Sequence, residues 1–234
     1  GARLYGPVLT RLPATAPAVW LTIDDGPSDD TLALLDLLDA HGARATFFLV
    51  GERAAARPEL VRAIAARGHG IGNHSRTHPQ AWFWALGPRR MREEIAGAQA
   101  QLTAIAGRAP RWFRAVVGHA NPFVSAPLRD CGLARVAWDA RAFDAVRGDP
   151  AAVVARLERE LAPGAVVHLA RAEPLAQERG HAVEVADDER DVADALHGRT
   201  VLQPRPPLPP PRVPVGAASA AIGISPPDAS HGFG

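Results

Sequence analysis

Lysine is absent from this 234-residue chain: all 26 of its Lys-or-Arg positions are arginine. No Schiff base can therefore form on a lysine, and the bias itself reads as that of an arginine- and alanine-rich proteome. Cysteine occurs once, at Cys131, which excludes an intramolecular disulfide and any cysteine-built zinc site; we expect a small buried residue there. Neither sign of charge is in excess. A formal net charge of +1 leaves no electrostatic footprint for nucleic acid or an acidic polymer. No apolar run approaches the roughly 20 residues that cross a bilayer, and the N-terminus carries no signal-peptide pattern. Because the first residue is Gly1 rather than methionine, a processed leader stays open, and the compartment with it.

What is present suits one sizeable globular domain, since 47% of the residues are hydrophobic and the length supports a real core. The composition changes at Pro204, where a proline tract gives way to Gly, Ala, Ser and Pro with little that packs. We read residues 1–203 as one catalytic domain. Residues 204–234 read as a disordered tail outside the fold, its proline tract a stiff polyproline II linker rather than a ligand for an aromatic groove.

Two short strings carry the chemistry. Thr22-Ile23-Asp24-Asp25-Gly26-Pro27 ends an apolar run, and His74-Ser75-Arg76-Thr77-His78 sets two imidazoles four residues apart. Two such rings reach one divalent ion from a helical turn or a tight loop, and Asp25 as third ligand leaves a coordination position open for water. Asp24 projects in another direction from its neighbour and is placed to take that water's proton. Each string alone has a plainer reading: a surface histidine pair, and an acidic step that closes a strand. Together they specify a site, because Ala18 to Ile23 reads as a buried strand delivering both aspartates to its C-terminal end, where parallel α/β folds bind ligands.

The rest of the chain alternates strand and helix. Ser28 or Asp29 is placed to cap a helix with Leu34, Leu35 and Leu38 on one face, closed by His41-Gly42. Strand Ala45 to Val50, helix Glu52 to Arg67 and a short strand around Ile71 follow, the last feeding Asn73 and His74. A helix from Pro88 through Met91, Ile95 and Leu102 to Ile105 precedes strand Arg111 to Arg114. Helix Pro122 to Cys131, strand Leu133 to Trp138, helix Pro150 to Leu161 and strand Ala165 to Leu169 come next. Helix Val185 to Leu196 and strand Thr200 to Leu202 complete the pattern. About seven parallel strands imply an α/β fold, either a closed or nearly closed barrel or an open doubly wound sheet, and spacing does not choose. In both, functional groups gather at strand C-termini, and Asp24, Asp25, His74, Arg114 and Asp144 follow expected strands.

Trp20 to Pro27 together with Gly72 to His78 resembles the first two motifs of the polysaccharide deacetylase family, the NodB-homology enzymes, over roughly residues 5–203. The resemblance implies a distorted (β/α) barrel of fewer than eight repeats, NodB-like, and metal-dependent removal of an acetyl group from an N-acetylated sugar. It implies zinc or a similar divalent ion on Asp25, His74 and His78, with Asp24 as general base. Arg114, in Trp112-Phe113-Arg114, is similar to the arginine of the third motif, which would pair with Asp24 and lower its pKa; the alternative is an exposed arginine after a strand. Trp138 to Asp144 resembles the fourth motif, with Arg141 where an aspartate is common and Asp144 as the later carboxylate. Asp144 would support a catalytic histidine or Arg114, or else cap a helix or turn. The family's setting leans to the cell envelope or the exterior.

The resemblance has departures. Ala115, Val116 and Val117 replace two prolines and an aromatic that border the sugar groove. In Pro163-Gly164-Ala165-Val166-Val167-His168-Leu169-Ala170, the alanine stands where the general-acid histidine is expected. Side chains two apart on a strand share a face, so His168 points to the correct side about 7 Å deeper, too far for the same proton transfer unless the register shifts. We expect His168 to be either a reassigned catalytic group or, preferred, a hydrogen-bonded core histidine; His181 is a remote substitute. Trp82, Phe83 and Trp84 stack on a sugar or, preferred, pack on the following helix.

Three readings follow. The first is a metal-dependent deacetylase of an N-acetylated carbohydrate whose proton-donating step is impaired or reassigned. The second is a silent relative that keeps the metal site and binds carbohydrate or acts as a scaffold. The third is a drifted or mistranslated stretch after Leu161. Neither nucleic acid nor a membrane span is expected, and the sequence leaves oligomeric state open.

Overall fold

The computed structural model describes residues 5–12, 18–142 and 150–170. Strands β1 (Trp20–Gly26), β2 (Thr46–Leu49), β3 (Gly70–Asn73), β4 (Trp112–Phe113), β5 (Ala134–Arg135), β6 (Ala140–Arg141) and β7 (Val166–Leu169) form one seven-stranded sheet in the order β5-β4-β3-β2-β1-β7-β6. Every pairing in it is parallel. The choice that spacing left open is settled as the distorted (β/α) barrel: the sheet curls, with β5 and β6 at its two ends. The N-terminal segment runs from beside β5 to the start of β7. Leu9 exchanges backbone hydrogen bonds with Arg135 and Ala137 beside β5, and the Leu12 N–H donates to the Gly164 carbonyl just before β7.

The two faces of the sheet follow from strand alternation. Even-numbered residues point inward, where Trp20, Phe48, Trp112, Val136 and Val166 form an apolar plug closed by Leu12. Trp20 and Trp112 meet edge to face at 5.2 Å, and the Trp20 indole donates to Thr46 at 2.9 Å. Gly72 has no side chain because the Phe48 ring fills its place; a β-carbon there would sit 2.5 Å from that ring. Odd-numbered Ile23, Phe47, Leu49 and Ile71 face the helices and pack with Leu35, Leu38, Val61, Ile64 and Leu102.

Those helices are α1 (Thr31–Ala40), α2 (Gly51–Ala56), α3 (Pro58–Ala66), α4 (Pro88–Ala106), α5 (Ser125–Asp130) and α6 (Pro150–Glu160). Three expectations need correction. Neither Ser28 nor Asp29 caps α1: Asp30 holds that position without a side-chain bond, and the Thr31 hydroxyl accepts from the Ser28 N–H. The single helix expected over Glu52 to Arg67 is two, because Pro58 forces Arg57 out of the helical region, to φ −137° and ψ 58°. The helix expected over Pro122 to Cys131 begins as a 3₁₀ turn, Pro122–Val124, before α5. Strand β6 was not anticipated. Helix 185–196, strand 200–202, His181, Asp144 and the tail 204–234 lie outside the described residues. No helix among the described residues is long and apolar enough to cross a membrane.

Candidate metal centre and active site

Parallel strands put every C-terminal end on one rim, and β1, β3, β4 and β7 each bring a polar side chain to it. On β1, alternation turns Asp24 inward beside Thr22 and would turn Asp25 toward the helices. The β1–β2 register shifts between Ile23 and Gly26, and Asp25 adopts a left-handed backbone, φ 65°. This irregularity re-aims Asp25 at the rim. Arg53 holds it by donating to the Asp25 carbonyl. His74 continues β3, its N–H donating to the Leu49 carbonyl at 3.0 Å.

The loop after His74 brings His78 back onto the same point. Ser75 and His78 are both left-handed, at φ 68° and 55°, an uncommon conformation for residues with a β-carbon. Side chains stabilise it. The Asn73 carboxamide oxygen accepts from the Ser75 N–H at 3.0 Å, and the Ser75 hydroxyl from the His78 N–H at 3.1 Å. Glu94 of α4, 3% exposed, accepts from the backbone of Arg76 at 3.0 Å and Thr77 at 2.8 Å and from the Thr77 hydroxyl at 2.7 Å. Sequence reasoning missed Glu94. The signal was present: it lies three residues after Met91 and four before Ala98, on the buried face of α4.

Asp25 Oδ1 is 2.9 Å from His78 Nε2 and 3.3 Å from His74 Nε2. These three residues form the one acidic and imidazole group among the described residues whose ligating atoms all lie within 4.8 Å of one another. The hydrogen bonding shows what belongs among them. His74 Nδ1 is 2.9 Å from the Arg114 carbonyl oxygen, which only accepts, so Nδ1 carries a proton and, on the neutral ring, Nε2 presents a lone pair. A lone pair facing a carboxylate oxygen at 3.3 Å is repulsive unless a proton or a cation lies between, and the bond at Nδ1 is the outer-shell contact that orients a metal-binding imidazole. The residues fit a divalent ion.

Asp24 lies beside this group, 5% exposed, with Oδ2 3.9 Å from His74 Nε2. Its Oδ1 accepts from Arg114 Nη1 at 2.7 Å. Arg114 is fully buried rather than an exposed arginine after a strand: it also donates to the Thr22 hydroxyl at 2.6 Å and the Ala137 carbonyl at 3.1 Å. Burial alone would raise the Asp24 carboxyl, but Arg114, His74 and His168 outweigh it and hold it at about 2. Burial opposes ionisation of Asp25 too, and the hydrogen bonds from His74 and His78 hold it well below the usual carboxylate range. For His74, burial pushes down while Asp24 and Asp25 pull up, and the pKa is raised.

His168 lies one layer below Asp24. It is level with Thr22, and Leu169 is level with Ile23, so alternation brings Ala170 alongside Asp24. The register has not slipped, and His168 is buried, as the core reading held. Yet its imidazole reaches upward, with Nε2 3.0 Å from Asp24 Oδ2, and lies against Trp138, the ring centroids 4.3 Å apart and the planes tilted by 37°. Its Nδ1 has no hydrogen-bond partner among the described residues. Ala170 lines a cavity of about 320 Å³ with Asp24, Asp25, Arg53 and Arg57. Asp24, Asp25, His74, His78, Arg114 and His168 are thus brought together. Of the three successive aromatics, only Phe83 packs inward, while Trp82 and Trp84 stay exposed.

A family model described as polysaccharide deacetylase matches residues 11–136. A chitooligosaccharide deacetylase of Bradyrhizobium sp. (strain ANU 289) is 35% identical over 164 residues, 69% of this chain and 74% of the relative. Among solved structures, a family 4 carbohydrate esterase from Streptomyces lividans, in complex with acetate, superposes with a TM-score of 0.64 at 34% identity, covering 78% of this chain and 88% of that one. A mutant of a CE4 family pseudoenzyme with restored enzymatic activity gives 0.67 at 27% identity over 71% of this chain; this chain spans 61% of it. The wild-type form of that pseudoenzyme is from Bacillus anthracis. The chain belongs to the polysaccharide deacetylase family, hydrolases of carbon–nitrogen bonds other than peptide bonds.

Proposed function

We propose that this protein removes the acetyl group from N-acetylated sugar units of an oligosaccharide or polysaccharide, using a divalent ion held by Asp25, His74 and His78. Two imidazoles and one carboxylate suit zinc. The observation that carries the reading is the convergence of these three side chains beside an ionised carboxylate clamped by a buried arginine. When bound, the ion supplies Lewis acidity, polarising the amide carbonyl and acidifying water.

The chain's own groups do the rest. Asp24 takes the water's proton: Arg114 on Oδ1 and His168 on Oδ2 fix the carboxylate and keep it ionised. The C–N bond then breaks, and the departing nitrogen needs a proton. Beside Asp24, β7 offers Ala170. His168 approaches from beneath and meets Asp24 rather than the cavity, so Asp24 is left to return the proton it took. One carboxyl serving both steps makes a slow enzyme; loss of a general acid typically costs about 10²- to 10⁴-fold.

Ala170 also favours a second reading, a silent member that binds carbohydrate; one relative above is a CE4 family pseudoenzyme. One experiment separates the two. Metal content and acetate release from N-acetylglucosamine oligomers are measured for the full chain and for His74→Ala, Asp24→Ala and Ala170→His. The deacetylase predicts one metal per chain, lost in His74→Ala, and slow release that Asp24→Ala abolishes and Ala170→His accelerates. Release from Ala170→His alone favours the silent reading. Full metal retention in His74→Ala refutes the ligand set.

A further inference from the structure

The cavity of about 320 Å³ that holds Asp24 and Asp25 extends past them, to the helix-facing side of β1. There Ile23, Pro27, Leu34 and Phe47 form an apolar wall, of which Ile23, Pro27 and Phe47 are buried. The irregularity that builds the metal site also makes this space. Side chains two apart on a strand share a face, so on a regular β1 the Asp25 carboxylate would stand beside Ile23, against the helices. The register shift between Ile23 and Gly26 and the left-handed backbone of Asp25 carry it to the rim instead. Room is left between β1 and α1, bordered by Thr31 and Leu34.

Polar side chains around this room are engaged elsewhere. Arg53 donates to the Asp25 carbonyl, Arg57 pairs with Asp29 at 2.8 Å, and the Thr31 hydroxyl accepts from the Ser28 N–H at 2.9 Å. What the inner end offers an occupant is hydrocarbon surface, and it begins at the carboxylate that faces the reacting amide. Such an amide carries two substituents, the sugar on its nitrogen and the acyl chain on its carbonyl carbon. The sugar's hydroxyls favour the open rim, and the chain favours the apolar wall. An acetyl group places one methyl there, comparable in size to the roughly 30 Å³ share of a water molecule in the liquid. The cavity holds far more.

We propose that this inner part is an acyl-chain pocket, and that the protein hydrolyses N-acyl groups longer than acetyl, such as butanoyl, in preference to acetyl. The reaction is otherwise unaltered: the water oxygen bonds to the acyl carbon, the C–N bond breaks, the amine leaves with a proton, and a short-chain carboxylate is released in place of acetate. The idea rests on the deacetylase reading for where the amide lies.

The test uses glucosamine tetramers N-acylated with acetyl, propanoyl, butanoyl or hexanoyl groups and the zinc-loaded full chain. Calorimetric binding is read in the Asp24→Asn background, which keeps the shape of the carboxyl group without its basicity, and carboxylate release is read in the unsubstituted protein. Affinity should rise roughly fourfold per added methylene, about fifteenfold from acetyl to butanoyl. Leu34→Trp, which fills the pocket from α1, should abolish the rise and leave the acetyl tetramer unchanged. Leu34→Ala, which removes atoms and cannot overfill the site, should keep the rise and carry it on to hexanoyl; it decides the matter together with the unsubstituted series if Leu34→Trp does not fold. Equal affinity across the series, a fall at propanoyl, a rise that survives Leu34→Trp, or no binding of any tetramer would each overturn the proposal. Binding that rises with chain length, with no carboxylate released, would remove the hydrolase and leave the pocket standing; acetate release with flat binding would do the reverse.

Discussion

Replacing Glu94 by alanine removes the carboxylate by which α4 grips the loop between His74 and His78 at Arg76 and Thr77. That loop contains two left-handed residues, Ser75 and His78, each costing roughly 1–2 kcal/mol relative to relaxed backbone. Two charge-assisted bonds from Glu94 to backbone N–H groups, at roughly 1.5–3 kcal/mol each, are enough to offset that strain. Without them the loop relaxes before an ion arrives, and binding must restore it. A reorganisation cost of about 2 kcal/mol weakens the ion about thirtyfold, within the roughly 10- to 100-fold range for groups that support metal ligands from outside. Glu94→Gln keeps a carbonyl oxygen for both N–H groups and asks only that the Thr77 hydroxyl rotate to accept, so it should stay within about threefold of wild type. Zinc affinity by competition with a chromophoric chelator, measured well below the thermal midpoint of each variant, separates this effect from general instability. Wild-type affinity in Glu94→Ala, or equal losses in both variants, would refute the clamp.

Other perturbations test the remaining groups. Arg114→Met should destabilise the fold by roughly 3–5 kcal/mol in chemical denaturation, because it strands the buried Asp24 charge, and adding Asp24→Asn should recover most of the loss; no recovery would mean that the arginine acts through packing. The same variant should raise the Asp24 pKa from about 2, and since the base works ionised, the acid limb of activity should move to higher pH. His168→Gln, which can keep a donor on Asp24 Oδ2, should change turnover by no more than about threefold; a hundredfold loss would make His168 the proton donor instead. Burial pushes His69 down from 6.5 to about 4, and its Nδ1 accepts from the Ala45 N–H. The unfolded chain therefore binds the extra proton first, so this contribution to stability is complete above pH 6.5 and lost as pH falls toward 4. The loss is about 3 kcal/mol, and His69→Asn should flatten denaturant midpoints across that interval.

The barrel was readable where a pattern ran long enough to show its period. Ala18 to Ile23 and Ala45 to Val50 were visible as strands because their apolar runs end in turn residues, and the structure shortens or shifts them by one or a few residues. Strand β6 is two residues long, too short for any alternation to register, and it exists because Ala140 and Arg141 pair with Val167 and His168 of a distant strand. The break between α2 and α3 was written in Arg57-Pro58, but helical spacing on both sides hid a local rule of backbone sterics. Closure by Leu9 and Leu12 depends on backbone bonds to Arg135, Ala137 and Gly164, which side-chain pattern does not encode.

The site divides along a similar line. The Asp25, His74 and His78 group was legible because the chemistry demands those residue types and the spacing allows them to meet. Alternation also placed His168 a layer beneath Ala170 correctly. What it could not supply was reach. An imidazole extends well beyond its β-carbon, so a histidine level with Thr22 still touches the carboxylate one layer above, at 3.0 Å. Strand arithmetic counts layers between backbones, while hydrogen bonding acts between side-chain tips. A group judged too deep to face the cavity can therefore still bond the residue that does face it.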